Sequence, residues 1–334
     1  MGGAVPTAPD AMIAILSHAD DLHAQAVRAE LDRMGAASVV VDLGEFPRRA
    51  RLRAEYAAGR PARFALDVGG AALDLGACRS VWWRRPQPFG LDGVAGGVDA
   101  RFAFNECAEA FDGVWHATDA FWVNPPRLDE AAHKKTYGLA VAAAVGLDLP
   151  RTLVTNDPGA ARDFVAGLPG GAVYKPFAAT AEAWRETRLV GPEELGRLDR
   201  VRHAPVIFQE YVPGVDVRAT VVGDRVFAAA IDARGTSYPA DFRMAMDEVT
   251  VRPTTLPADA ERRLLAYMRR LGLVYGAADF RLADDGRVVF LEVNPAGQWL
   301  FVEVETGQPI ARAVAEALAA PPERAAHPAR AATA

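Results

Sequence analysis

One stretch, from Ala277 to Asn294, limits what this chain can fold into. It reads Ala-Ala-Asp-Phe-Arg-Leu-Ala, then Asp-Asp-Gly-Arg, then Val-Val-Phe-Leu-Glu-Val-Asn. Asp285-Gly286 is a favoured two-residue hairpin turn, so the flanking runs are predicted to pair as antiparallel strands. Pairing outward from that turn sets Asp284 against Arg287, Leu282 against Val289 and Asp279 against Glu292. Strand side chains alternate with period two. Asp279, Arg281, Glu292 and Asn294 therefore share one face, and Phe280, Leu282, Leu291 and Val293 the other. The apolar face requires a covering layer. The polar face sets two carboxylates directly opposite one another, which repel unless something neutralises them. Magnesium is a hard cation that takes oxygen ligands and suits two carboxylates beside an amide oxygen. An exposed polar face on which Arg281 offsets the acids is the other reading of the same pattern. Pro295-Ala296-Gly297 then stops the strand.

The first third of the chain has a different rhythm. Met12 to Leu16 is a short apolar run, Ser17 to Asp21 a polar turn, and Leu22, Ala26, Ala29 and Met34 recur near helical spacing up to Gly35. His18 and His23, placed with this helix, are five apart and do not share a face. Ser38 to Leu43 reads as a second strand, which completes a β-α-β unit and predicts a parallel sheet. Ser80 to Trp83 is a further strand, Arg101 to His116 a helix, and Phe121 to Val123 a strand ended by Asn124-Pro125-Pro126. Consecutive prolines cannot continue a ladder, so a domain boundary is placed there. Beyond it, Ala131 to Val145 is predicted as one helix, Arg151 to Val154 as a strand, and Asn156-Asp157-Pro158 as a helix cap. Ala172 to Lys175 is a strand broken by Pro176. Antiparallel hairpins follow, with a helix from Ala258 to Leu271.

The domains expected are 11–123, an α/β unit; 124–210, a small central unit; and 211–319, a C-terminal antiparallel-sheet unit. Residues 1–10 and the Pro/Ala-rich 320–334 are expected to be disordered tails. A length of 334 residues with 51% hydrophobic content suits two or three soluble domains. The net charge of −6 is spread without long runs, which argues against a nucleic-acid partner. Basic spots remain at Arg48-Arg49 with Arg51 and Arg53, and at Arg84-Arg85. Two cysteines, Cys78 and Cys107, exclude a disulfide framework and suit a reducing compartment. No basic leader or membrane-length apolar run occurs, so a cytoplasmic protein with no membrane partner is expected.

Lysine is scarce, and its three positions are Lys134, Lys135 and Lys175. A compact ammonium at the end of a buried strand, as at Lys175, suits a polyphosphate or simply reaches water. Phe208 to Gly214 reads as a strand running into a linker. Asp216 and Arg218 alternate onto one strand face before the turn Gly223-Asp224. Arg218, Arg243 and Arg281 form an anion site if the fold gathers them, and are salt-bridge partners otherwise. The glycine-rich phosphate loop, the dinucleotide fingerprint and the nucleophile elbow are all missing.

Taken in order, these elements resemble ATP-grasp ligases over roughly residues 11 to 315, carried by Asp279-Phe280-Arg281, Glu292-Val293-Asn294 and Lys175-Pro176. A narrower resemblance is to the microviridin-type maturases of ribosomal peptides, the graspetide family. It rests on Trp82-Trp83-Arg84-Arg85-Pro86, Tyr174-Lys175-Pro176, Asp241-Phe242-Arg243 and Phe290 to Trp299, and on Ser17 to Asp21 and Pro150 to Asn156. Asp241-Phe242-Arg243 departs from the family's Asp-Trp-Arg, and Leu139 lacks the usual preceding Gln. The resemblance implies a pre-ATP-grasp α/β domain followed by two domains that clasp ATP. It implies phosphate contacts from Lys135 and Lys175, an adenine hinge at Glu210 and Val212, and ribose contact at Asp216. It also implies magnesium on Asp279, Glu292 and Asn294, phosphoryl stabilisation by Arg218, Arg243 and Arg281, and acidic-peptide binding by Arg84 and Arg85. The implied partner is a ribosomal precursor peptide, the implied products are side-chain ester or amide macrocycles, and the implied assembly is a homodimer. A ligase joining an amino acid to a small molecule or peptide end would use the same nucleotide residues. Only Arg84-Arg85 and their aromatic neighbours favour the peptide reading.

Overall fold

The computed structural model describes residues 12–68, 71–94, 96–177, 187–237, 242–244 and 246–321. The two tails expected to be disordered lie outside these residues, apart from Ala320 and Pro321. The chain divides into two compact units, 12–127 with 309–321, and 128–308.

In the first unit, β1 (Ile13–Leu16), α1 (Leu22–Arg33) and β2 (Ser38–Val41) form the expected β-α-β crossover. Three more strands, β3 (Ala50–Glu55), β4 (Arg63–Val68) and β5 (Ala71–Asp74), make an antiparallel meander that the sequence analysis did not predict. β6 (Ser80–Trp83), α2 (Val98–Ala117) and β7 (Phe121–Val123) complete a parallel sheet of order β2-β1-β6-β7. The buried face of α1 is His23, Ala24, Val27 and Leu31, whereas Leu22 and Met34 are exposed. The expected stripe is thus turned by about one residue, since Asp21 caps the helix by accepting from the His23 amide. His18 precedes the helix.

α3 (Pro126–Ala132) leads into the second unit, and α4 (Lys135–Ala144) follows it. The single helix expected over 131–145 is therefore broken at His133-Lys134, with Lys134 in an extended conformation that starts α4 afresh. β8 (Thr152–Thr155), α5 (Pro158–Ala166), β9 (Ala172–Lys175), β10 (Arg188–Leu189), α6 (Pro192–Gly196) and β11 (Val206–Glu210) build a four-stranded sheet of order β10-β9-β11-β8. Asp157 caps α5 by accepting from Gly159 and Ala160, with Pro158 as the first helical residue.

β12 (Gly214–Val222), β13 (Arg225–Asp232), β14 (Thr250–Thr254), α7 (Ala258–Leu271), β15 (Tyr275–Ala283) and β16 (Val288–Asn294) follow. Their five strands run antiparallel in the order β14-β13-β12-β15-β16. Leu264, Tyr267 and Met268 of α7 pack with Val141 and Ala142 of α4 and with Phe280 and Phe290 of the sheet in one core. α8 (Leu300–Thr306) closes this unit. α9 (Ile310–Ala319) packs on α1 in the first unit, so the boundary expected at 319 falls at 308 in the structure. Among the described residues no helix is long and apolar enough to cross a membrane.

The β15–β16 hairpin forms, with one adjustment. Its loop is longer than two residues. Gly286 N–H donates to Ala283 O, Ala283 pairs with Arg287, and Gly286 takes a φ of 88°. Such a three-residue loop closed by a left-handed glycine is a regular hairpin solution. The shift is undone by a bulge at Leu291, where Asp279 pairs with Glu292 but Phe280 pairs with Phe290. Phe290 thereby replaces Leu291 as the core-facing neighbour of Phe280, and their rings meet edge to face at 5.4 Å. Leu282, expected on the apolar face, is 42% exposed. The Asp279–Glu292 pairing survives because the loop and the bulge each add one residue.

Candidate active site

β12 and β15 carry the same triplet pattern, Asp216-Val217-Arg218 and Asp279-Phe280-Arg281. Run antiparallel in the observed register, the triplets are self-complementary. Asp216 lies opposite Arg281, and Arg218 opposite Asp279. Arg218 grips Asp279 with two bonds, Nε to Oδ1 at 2.6 Å and Nη2 to Oδ2 at 3.3 Å, and its Nη1 donates to Gln298 O at 2.7 Å. Its guanidinium also lies 5.9 Å from the Phe242 ring and 5.8 Å from that of Phe301. Arg281 Nε approaches Asp216 Oδ1 at 3.3 Å and Nη1 donates to Gly214 O at 3.2 Å. Both residues of this second pair are buried.

The row continues across β16. Glu292 lies beside Asp279, and Lys135, the first residue of α4, places Nζ 3.3 Å from Glu292 Oε2. Across the sheet the order is Arg218, Asp279, Glu292, Lys135: two adjacent acids with a cation at each end. Asn294 shares the face of Glu292, and its Oδ1 accepts from Ala296 N–H at 2.9 Å, which orients the amide. Two carboxylates and a fixed amide oxygen form a hard donor set, and these residues fit magnesium. Arg218 grips Asp279 on both oxygens, and Lys135 pairs with Glu292.

A cavity of about 700 Å³ opens at the Glu292–Lys135 end of this row. Its wall includes Lys135, Lys175, Glu292 and Asn294, with Ile207, Phe290 and Leu291 as an apolar side. The two lysines expected to contact phosphate thus border one space with two of the three expected metal ligands. Lys134 also borders it but pairs with Glu130 at 3.0 Å on the surface.

Other expected residues stand elsewhere. Glu210 accepts from Arg151 N–H at 3.1 Å, and Val212 packs with Ala283 and Val289. Neither side chain borders the cavity. Asp216, expected to meet a ribose, is committed to Arg281, and Arg281, expected to meet phosphate, is committed to Asp216 and Gly214. The side chain of Arg243 and all of Asp241 lie outside the described residues. One wall residue gave no sequence signal. Tyr267 falls on the apolar stripe of α7 and reads as core.

In the first unit, Arg84, expected to bind substrate, is 2% exposed and donates from Nε to Asp21 Oδ2 at 3.1 Å. Ser17 Oγ donates to the same oxygen at 2.7 Å. Arg85 is exposed, and its amide extends the β1–β6 ladder by donating to Leu16 O. Ligands of open parallel sheets bind beyond the carboxyl ends of the strands, and Ser17 to Asp21 and Arg84-Arg85 follow the carboxyl ends of adjacent strands. Burial pushes the Asp21 carboxyl up, but the His23 hydrogen bond, the charge of Arg84 and the Ser17 hydroxyl outweigh it and hold the group below the usual carboxylate range. Burial pulls His23 below its ordinary 6.5, against the opposing pull of Asp21.

A depressed histidine binds fewer protons folded than unfolded. Its contribution is present above the unfolded pKa and is lost as the pH falls below about 6.5 toward the folded value. The urea midpoint of the first unit is therefore expected to drop between pH 7.5 and 5, and less so in His23→Gln. His133 is pulled the opposite way by its hydrogen bond to Asp129, and the comparison with His23→Gln cancels its contribution. Equal pH slopes in the two proteins would refute this account of His23.

The family model described as the MvdD pre-ATP grasp domain matches residues 12–130. The structure of macrocyclase MdnB from Microcystis aeruginosa MRC superposes with a TM-score of 0.76 at 30% identity, covering 92% of this chain and 98% of that one. The ATP-grasp ligase PsnB, complexed with a minimal precursor, Mg and ADP, gives a TM-score of 0.78 at 27% identity, over 95% of this chain and 98% of its own. A curated relative, the probable alpha-L-glutamate ligase of Klebsiella pneumoniae (strain 342), is 31% identical over 189 residues, which are 54% of this chain. The chain spans about 61% of the length of that relative.

Proposed function

We propose, for a chain that belongs to the ATP-grasp ligases resembling microviridin-type peptide maturases, an ATP-dependent condensation within a ribosomal precursor peptide. An Asp or Glu side chain of the peptide attacks the γ-phosphorus of ATP, releasing ADP and leaving an acyl phosphate. A hydroxyl or amine of the same peptide then attacks the carbonyl carbon, phosphate leaves, and an ω-ester or ω-amide ring closes with net loss of water. Two reacting groups on one bound chain gain from proximity.

The observation that carries this reading is the cavity that Lys135 and Lys175 share with Glu292 and Asn294, at one end of the neutral charge row. Magnesium held by Glu292, Asn294 and Asp279 would supply charge neutralisation at the phosphates. Lys135 and Lys175 hold phosphate oxygens. Arg218 orients Asp279, while Arg281 locks β12 to β15 through Asp216. Arg243 is left as the cation for the transferred phosphoryl group. The hinge assignment rests on the backbone at Glu210 and Val212. Of the Arg84-Arg85 pair, Arg85 is the one exposed to an acidic peptide, and Arg84 holds the Ser17–Asp21 turn. The precursor peptide is the proposed partner, a homodimer the proposed assembly and the cytoplasm the proposed setting.

The curated likeness to a glutamate ligase supports a second reading, addition of an amino acid to a small molecule or peptide end. Intact-mass spectrometry separates the two. Acidic, hydroxyl-rich peptides incubated with the protein, ATP and magnesium are expected to lose about 18 Da per ring formed. Unchanged peptides together with ATP turnover on free glutamate would replace the first reading with the second.

A further inference from the structure

Gly138 stands inside α4, one turn after Lys135, where glycine is a poor helix former. Its neighbour explains it. A Cβ at 138 would lie 2.9 Å from the Tyr267 hydroxyl, closer than real contacts allow. The Tyr267 ring is fixed, packed 5.2 Å from the Phe290 ring in the core that includes Leu264, Met268 and Phe280. The residue is 1% exposed, yet it belongs to the wall of the cavity bordered by Lys135, Lys175, Glu292 and Asn294. With the ring enclosed by core, the hydroxyl is the end that reaches that space. A phenylalanine would fill the same core and leave position 138 free to be alanine, so the chain reserves room for an oxygen at this point.

A phenol keeps its proton at neutral pH, so the group is a hydrogen-bond donor. A donor on a cavity wall that also carries two lysines suits an anionic oxygen. We propose that Tyr267 contacts the ligand directly, its O–H donating to a phosphate oxygen of the bound nucleotide, with Gly138 as the gap that lets it through. The assignment rests on the nucleotide reading above and names a residue that reading lacks.

The test is calorimetric titration of the full chain with ADP and magnesium, alongside thermal midpoints. Tyr267→Phe keeps the ring and is expected to bind about tenfold more weakly, as for loss of a hydrogen bond to a charged group, at an unchanged midpoint. Gly138→Ala is the second variant. Helix propensity alone would raise its midpoint and leave binding alone, whereas displacement of the hydroxyl weakens binding, which is the result expected. Wild-type affinity in both variants overturns the role of Tyr267 and leaves the nucleotide site standing. A wild-type protein that binds neither ADP nor ATP with magnesium overturns the nucleotide reading itself.

Discussion

Glu292→Gln is expected to lower ATP-dependent condensation by roughly a hundredfold or more, the scale seen when one preorganised charge contact is removed from a transition state. Nucleotide affinity measured without magnesium should not fall with it. Glu292 sits between Asp279 and Lys135 in the charge row, and its Oε2 is 3.3 Å from Lys135 Nζ. Neutralising it releases Lys135 toward phosphate and removes a negative charge from the same space, so both changes favour an anionic ligand. The variant thus separates two roles that a simple loss of activity would merge. If it lost metal-free nucleotide affinity and activity together, Glu292 would be holding the cavity together, and the metal-ligand assignment would fail. The fold tolerates the change, because glutamine is isosteric and the position is partly exposed.

Much of this site is legible in the sequence for a physical reason. A hairpin brings its two strands together within a few residues, so the pairing of Asp279 with Glu292 depends only on local turn chemistry and alternation. Even there the loop has three residues where the sequence predicts two, and the bulge at Leu291 compensates. The ends of β6, β7, β9 and α7 were likewise marked by Pro, Gly or Asn nearby. Long-range pairing is where legibility stopped. Arg281 reads as a candidate phosphate contact because its partner Asp216 lies on another strand, and neither strand alone reveals the register that joins them. The repeated Asp-x-Arg triplet was the available signal, since two such triplets run antiparallel can only cross-pair. The meander β3–β5 was missed because Arg51, Arg53 and Arg63 with their alanine neighbours lack the β-branched enrichment of a strand. Arg84 reads as an acidic-peptide contact because nothing near it in sequence shows that Asp21 neutralises it.

The crossed triplets have a consequence for stability as large as that of Glu292 for chemistry. Asp216 and Arg281 are each 7% exposed and face one another across the central strand pair of the five-stranded sheet. Removing one partner of a buried pair leaves the other charged in a low dielectric, which costs about 3–5 kcal/mol. Asp216→Ala is therefore expected to lower the urea-derived stability of the second unit by that amount, whereas Asp224→Ala, at the exposed hairpin turn, stays within about 0.5 kcal/mol of wild type. Replacing both residues with apolar ones, as in Asp216→Leu with Arg281→Met, should recover most of the loss, because well-packed apolar groups often match a buried ion pair. Arg281 Nη1 also donates to Gly214 O, so the recovery falls short by about the value of one hydrogen bond, roughly 1 kcal/mol. Additive losses in the double variant would mean that each residue acts through separate partners. Recovery would show that the Asp216–Arg281 pair is not needed for net stability, which leaves the register of β12 on β15, the register that sets Arg218 against Asp279, as its role.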